Sequence, residues 1–128
     1  FPYTTLFRSC GTEPNLLINA TEISFDGLWE LVRSYGGVMF PAHVDKTANS
    51  LIANLGFIPP DSRFRTAEVK DLKKLHQLQK DNPYLDKCRI ISNSDAHYLE
   101  HMNEPELTLQ VEEKTVQGII DALLDGAG

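Results

Sequence analysis

Apolar and polar residues along this chain follow two spacings, one typical of helices and one typical of strands. Apolar residues three or four positions apart predict helices over 24–35, 71–82 and 115–124. A shorter helix is predicted over 45–55, because the glycine at position 56 can end it. Short apolar or alternating runs predict strands at 16–18, 37–40, 64–69, 89–93 and 107–111. Strands that alternate with helices favour parallel βα units, so we predict an α/β fold.

Residues with metal-binding chemistry follow two of the predicted strands. The string Phe-Pro-Ala-His occupies positions 40–43, and Ser-Asn-Ser-Asp-Ala-His occupies positions 92–97. Loops at the carboxyl ends of strands form the reactive face of α/β barrels. One residue separates Asp95 from His97, so extended backbone would point both side chains the same way. Imidazole and carboxylate groups suit Zn, Mn or Fe. Either string alone has a common structural explanation, whereas the two together favour a metal site.

These two strings resemble the third and fourth motifs of the PHP family, the polymerase and histidinol phosphatase domain. In that family a Pro-Ala-His string follows one strand, and a Ser-Asp-Ala-His string follows a later one. The segment between the strings, residues 49–60, also resembles stand-alone bacterial members of the family. The resemblance covers residues 11–109, which is most of the chain.

The resemblance implies a fold and an activity. The fold would be the C-terminal part of a distorted TIM-like (β/α)7 barrel with parallel strands. The activity would be hydrolysis of a phosphomonoester or nucleotide by a three-metal centre of Mn, Zn or Fe. Matched motif by motif, His43 would bind one ion, Asp95 a second and His97 a third, and we assign Asp95 and His97 to catalysis. The expected partner is a small phosphorylated substrate or nucleotide.

Three other residues have weaker assignments. Lys46 lies three residues after His43 and could bind a substrate phosphate, although a surface lysine is the commoner outcome. Glu68 lies near the end of a predicted strand, where it could support a metal ligand, but a solvated charge is the commoner outcome. His76 falls within a predicted helix, and we expect it on the surface.

The beginning of the chain does not fit the family pattern. Family members have a His-X-His string, an Asp-His, a Glu and a further His before Pro-Ala-His, and none of these appears upstream of His43. Residues 1–9 resemble the translation of a short-read sequencing adapter, so we expect a gene assembled from environmental reads. Residues 10–128 are then expected to be the C-terminal portion of a single PHP domain, with one ligand per ion. A catalytic ion usually needs about three protein ligands, so this chain is expected to be inactive by itself.

Composition narrows the function classes. The net charge of −6 offers no general basic surface for nucleic acid. Two cysteines are too few for a disulfide framework, which favours a reducing cytoplasm. No apolar run approaches the roughly 20 residues of a membrane span. The oligomeric state has no signal in the sequence.

Two alternative functions stay open at this point. The first is a PHP module with a structural or proofreading role in a DNA polymerase, which the acidic charge disfavours. The second is a metal-dependent amidohydrolase on a similar barrel. That family also places His and Asp after strands, but the Ser-Asp-Ala-His context fits it less well.

Overall fold

The computed structural model describes residues 11–16, 21–105 and 107–127. The α-helices are Phe25–Ser34 (α1), Leu51–Leu55 (α2), Leu75–Asp81 (α3) and Val116–Asp125 (α4), and the strands are Thr66–Glu68 (β1) and Arg89–Ile91 (β2). Short 3₁₀ segments are Leu72–Lys74, Pro83–Lys87 and Leu99–His101. The proposed adapter segment at 1–9, and most of the strand predicted at 16–18, lie outside the described residues.

Side-chain caps set the starts of three helices. Ser24, Ser50 and Thr115 each accept a hydrogen bond from the backbone N–H three residues further on. These bonds satisfy N–H groups that the first turn of a helix leaves without a partner. Helix α2 ends at Gly56, whose φ of 81° is the left-handed conformation that glycine adopts without strain. Within the described ranges, every helix is too short or too polar to cross a membrane.

The two strands form a parallel pair with a helix between them. Thr66 lies opposite Arg89, and Glu68 lies opposite Ile91. Parallel neighbours need a crossover connection, which here contains α3. Residues 66–91 therefore form a parallel βαβ unit. The larger barrel stays a prediction, because a two-stranded sheet is compatible with many α/β folds.

A third segment of chain pairs with the free edge of β1. The Glu68 N–H donates to the carbonyl of Pro41 (3.1 Å), and the Val44 N–H donates to the carbonyl of Glu68 (2.8 Å). In a regular parallel ladder, the two residues that bond to Glu68 would be two positions apart in sequence. Pro41 and Val44 are three positions apart, so this segment contains one extra residue, as in a β-bulge. The backbone of β1 is thus bonded on both edges, with residues 41–44 on one side and β2 on the other.

Helix α4 is fastened to the amino-terminal end of this sheet. Thr66 Oγ1 donates to the carbonyl of Leu123 (2.6 Å), and Arg89 Nε donates to the carbonyl of Ala122 (2.9 Å). Carbonyls in the last turn of a helix have no partner within the helix, and a cation there interacts favourably with the helix dipole. The two donors, Thr66 and Arg89, lie opposite each other in the paired strands. A shift in the strand register would therefore move one donor away from α4.

The hydrophobic core packs against α3 through Leu75 and Leu78. Its buried members share an apolar character and come from β1, from the chain that precedes it and from the connection between β1 and β2. They are Val44, Ile58, Phe64, Ala67, Val69, Tyr84, Leu85 and Cys88. The ring of Phe64 packs edge-on against Tyr84 (4.9 Å between centroids) and against Phe25 of α1 (6.2 Å). The core therefore joins α1 to the βαβ unit through aromatic contacts.

Several predicted elements differ from the observed ones. Residues 37–40 are not a strand, because pairing with β1 starts only at Pro41, which has no N–H to extend a ladder. Residues 107–111 are not a strand either, because alternation predicts a face but does not supply a ladder partner. The predicted helix 45–55 shortens to α2, since Asn49 has a φ of 55° that a helix cannot contain. The predicted helix 71–82 begins as a 3₁₀ turn before α3.

Replacement of the largest buried side chain tests this description of the core. Phe64 is 1% exposed, and we expect Phe64→Ala to lower the free energy of unfolding by about 3–5 kcal/mol through lost packing and a residual cavity. Leu99 is 84% exposed, and Leu99→Ala should change it by less than about 0.5 kcal/mol. Urea unfolding of both variants measures the difference. Equal effects at the two positions would contradict the assigned core.

Candidate functional site

The two sequence strings meet beyond the carboxyl end of β1. Residues 41–44 flank one edge of β1, and the string at 92–97 continues from β2 on the other edge. Lys46 Nζ lies 2.8 Å from Asp95 Oδ2, so an ion pair spans the end of β1 and joins residues 49 positions apart. Charge-assisted bonds of this length are among the stronger hydrogen bonds in proteins. The structure therefore brings Asp95 of the second string to Lys46, which lies three residues after the first string.

His43 occupies the extra position in the pairing with β1. Its φ of 31° is unusual for a residue other than glycine, although His, Asn and Asp tolerate it best. The Val44 side chain is buried next to it, and the Lys46 N–H donates to the His43 carbonyl (3.0 Å), which closes a turn. His43 Nδ1 is buried with no hydrogen-bond partner among the described residues. A buried polar nitrogen without a partner is unfavourable, so this atom calls for a partner beyond the described residues.

Asp95 also has a left-handed backbone, with a φ of 52°. The expectation that extended backbone aligns Asp95 with His97 is therefore wrong, because the chain turns at Asp95. Backbone strain of this kind costs on the order of 1–3 kcal/mol and clusters at functional sites. Two of the predicted site residues, His43 and Asp95, have this strain, and the surrounding contacts hold them in it.

The Asp95 carboxylate lies in a positive electrostatic environment. The hydrogen bond from Lys46 is the main reason that the pKa of Asp95 lies below its ordinary value. Removal of solvent acts in the opposite direction, and the charges of Lys46, His43 and Lys70 add to the lowering. Asp95 is therefore ionised at neutral pH, as a metal ligand or an ion-pair partner must be.

His97 does not converge with the other two residues in the same way. Its side chain is exposed, and its Nδ1 lies 3.0 Å from the backbone carbonyl of Asp95. That contact fixes the ring beside the turn and leaves the other ring nitrogen, Nε2, as the position for an external partner. The assignment of His97 to an ion of its own stays a prediction.

Asp45 is a site residue that the sequence analysis missed. Its two carboxylate oxygens accept hydrogen bonds from the backbone N–H groups of Lys70 (2.8 Å) and Asp71 (2.9 Å). Burial acts to raise the pKa of Asp45, but these bonds outweigh it, and the pKa lies below its ordinary value. The carboxylate clamps the chain as it leaves β1. The sequence signal for this role was the position of Asp45, a carboxylate two residues after His43.

Three secondary assignments concern Lys46, Glu68 and His76. The Lys46 side chain is 37% exposed and its ammonium group is paired with Asp95, so its role as a phosphate ligand stays a prediction. Glu68 is 8% exposed, so the expectation of a solvated charge is wrong: the position is enclosed between two neighbouring segments of the sheet. The expectation that His76 lies on the surface is confirmed.

His43 and Asp95 are suitable types of ligand for a divalent ion, but two ligands are fewer than a catalytic ion usually needs. His43 has an unpartnered nitrogen, and Asp95 has an ionised carboxylate, which are the donor types that Zn, Mn and Fe use. Within residues 11–16, 21–105 and 107–127, however, no three His, Cys, Asp or Glu side chains are grouped to hold one ion. A catalytic ion in this position would need further ligands from beyond the described residues.

Cys88, the cysteine in the part of the chain that the structure describes, lies in the core rather than at this site. Cys88 is buried in the core, with its Sγ 3.5 Å from the carbonyl of Tyr84. Burial raises the pKa of the Cys88 thiol to about 11, so the thiol stays protonated at neutral pH. A nucleophilic cysteine mechanism through this residue is therefore excluded.

Comparison with known proteins returned no match: no family model, no curated protein sequence and no solved structure resembles this chain closely enough to be assigned to it. The PHP resemblance therefore rests on the sequence strings and stays a prediction.

The Asp45 clamp predicts a specific pH dependence of stability. Because the folded-state pKa of Asp45 lies below 3.8, its contribution is complete above about pH 5 and is lost as the pH falls through the folded-state value. At pH 7, Asp45→Asn should lower the free energy of unfolding by about 1–3 kcal/mol, since the amide cannot accept both N–H bonds. Urea unfolding at pH 7 and in acid should show this difference shrinking in acid.

The exposed Asp61 serves as the matched control, because Asp61→Asn makes the same chemical change without removing such a clamp. An Asp45→Asn difference that is constant from neutral to acid pH would contradict the role of the carboxylate.

Proposed function

We propose that this chain forms one side of the active site of a metal-dependent phosphoesterase of the PHP type. The observation that carries the proposal is the Lys46–Asp95 ion pair, because it joins the second PHP-like string to the turn that follows the first one. Phosphoester hydrolysis needs cations that neutralise phosphoryl oxygens and a carboxylate that positions a metal ion. Both groups are present within hydrogen-bond distance of each other.

The fold proposal follows the same line. The parallel pair of β1 and β2, with residues 41–44 on the outer edge of β1, is compatible with consecutive strands of a distorted TIM-like (β/α)7 barrel. In such barrels the reacting groups lie at the carboxyl ends of the strands. Asp95 follows β2 in this way, and His43 and Lys46 lie at or just after the segment 41–44 that pairs with β1. An intracellular, reducing location fits the unpaired thiol of Cys88.

Each residue has a definite task in this proposal. Divalent ions, when bound, would lower the pKa of a water molecule and neutralise charge on the phosphoryl oxygens. Asp95 would supply an ionised carboxylate ligand, and His43 would supply its unpartnered Nδ1. His97 would supply its Nε2 from the rim. Lys46 would leave Asp95 and bind a phosphoryl oxygen, so its ammonium group would hold Asp95 in place until substrate and ions arrive.

Loss of the Asp95 carboxylate tests this function. In the protein that also contains the upstream family motifs, Asp95→Ala should lower Mn-, Zn- or Fe-dependent hydrolysis of phenyl phosphate or AMP by about 100-fold or more. Even outer-sphere partners of a metal ligand contribute about 10–100-fold. His97→Ala should have a similar effect, and chelation should abolish turnover. The measurement is turnover together with the number of bound metal ions per chain.

His76→Ala is the matched control, because it removes an exposed imidazole away from the site and should leave both quantities unchanged. An amide panel run in parallel separates phosphoester from amide hydrolysis. Full activity and full metal content in Asp95→Ala would overturn the assignment, as would turnover of amides alone.

A further inference from the structure

A cavity of about 390 Å³ opens beside the Lys46–Asp95 ion pair. It lies between the turn after residues 41–44 and the chain that leaves β1. Its lining residues are mostly charged, and they are Asp45, Lys46, Thr47, Ala48, Lys70, Asp71 and Lys74. Three lysines therefore contribute to the lining of one concave space on a chain whose net charge is −6.

The two carboxylates of this cavity are already occupied by the protein itself. Both oxygens of Asp45 accept backbone N–H bonds, so its charge is directed at the peptide groups of Lys70 and Asp71. Asp71 accepts the N–H of Lys73 (3.2 Å) and lies 3.6 Å from the ammonium group of Lys74. The negative charge at the cavity is thus partly neutralised by internal partners.

The lysines are less fully neutralised than the carboxylates. Lys70 is exposed and, among the residues that the structure describes, has no carboxylate within ion-pair distance. Lys74 makes a long contact to Asp71 on an exposed side chain, and such contacts contribute little. Its charge also acts on Asp45, whose two oxygens are already bonded to backbone N–H groups. Lys46 has a close partner, Asp95, that belongs to the candidate site rather than to the cavity.

A second cavity shows that positive charge is not a general property of concave surfaces in this protein. The cavity of about 460 Å³ beside α4 is lined by four carboxylates and a single cationic side chain, Arg89. The concentration of lysines is specific to the cavity beside Asp95, which adjoins the residues proposed for catalysis.

We propose that the cavity lined by Lys46, Lys70 and Lys74 is a binding subsite for a phosphoryl dianion. The identification of the anion as phosphate rests on the proposed function, but the binding itself needs no metal ion. Lys70 and Lys74 attract the anion, and Lys46 contacts it when released from Asp95. Asp95 and the anion therefore compete for the same ammonium group.

This competition gives the subsite a property that a scattered set of surface lysines lacks. If Asp95 loses its charge, Lys46 becomes available and the anion binds more tightly. If Lys70 or Lys74 loses its charge, the anion binds more weakly. Asp95 does not line the cavity, so its effect on binding would act through Lys46.

Metal-free titration of the full 128-residue chain tests the proposal. Inorganic phosphate and phenyl phosphate are titrated separately by calorimetry at low ionic strength with a chelator present. We expect Lys70→Met and Lys74→Met each to weaken binding about two- to fivefold, the range for exposed charge pairs. Asp95→Asn should strengthen binding by a similar factor. Tighter binding of phenyl phosphate would identify the ester as the ligand, and equal binding would identify the phosphoryl group alone.

Lys73→Met is the matched control, because Lys73 is a neighbouring exposed lysine that does not line the cavity. It should leave both affinities unchanged. Equal weakening by Lys73→Met and Lys74→Met would overturn the subsite, and so would weaker binding in Asp95→Asn. Because no metal ion is present, these results are independent of whether the metal-dependent hydrolysis proposed above occurs.

Discussion

The pairing of β1 on both of its edges is the constraint on which the rest of this structure depends. All three residues of β1 are buried, and their backbone groups bond to residues 41–44 on one side and to β2 on the other. Buried backbone groups without partners are costly, so this strand can exist only when both neighbours are present. The residues that follow each neighbour are thereby brought to a common place, and the Lys46–Asp95 ion pair is the result.

The region around the Lys46–Asp95 ion pair contains opposite charges and strained backbone. His43 and Asp95 adopt positive φ angles, and the Asp45 carboxylate holds the chain that leaves β1. Each of these features would be unfavourable in isolation, since strain and partly buried charge both oppose folding. Their costs are offset by direct partners. The Lys46 ammonium group pairs with the Asp95 carboxylate, and two backbone N–H groups donate to the Asp45 carboxylate. Sites that bind charged ligands need such prearranged groups, which do not have to reorganise when the ligand arrives.

Local signals in the sequence predicted the helices better than the strands. Ser24 and Thr115 mark α1 and α4 because a side-chain cap depends only on residues within one turn. The run at 107–111 alternates like a strand but forms none, since a strand also requires a partner edge that a local pattern does not contain. For the site, the strings identified Asp95 and His43, but not that Lys46 pairs with Asp95 or that Asp45 clamps β1. Those contacts link residues 49 and 25–26 positions apart, and only the folded chain brings them together.

The attachment of α4 by Thr66 and Arg89 has a consequence for how this protein tolerates change. That attachment lies at the amino-terminal end of the sheet, whereas the candidate site lies beyond the carboxyl end, about 10 Å away for three residues at roughly 3.3 Å each. Side chains this far apart without shared partners usually act independently. Evolution can therefore vary the loops at the carboxyl end of the strands while the opposite end maintains the architecture. Robustness and novelty are then properties of different ends of the same two strands.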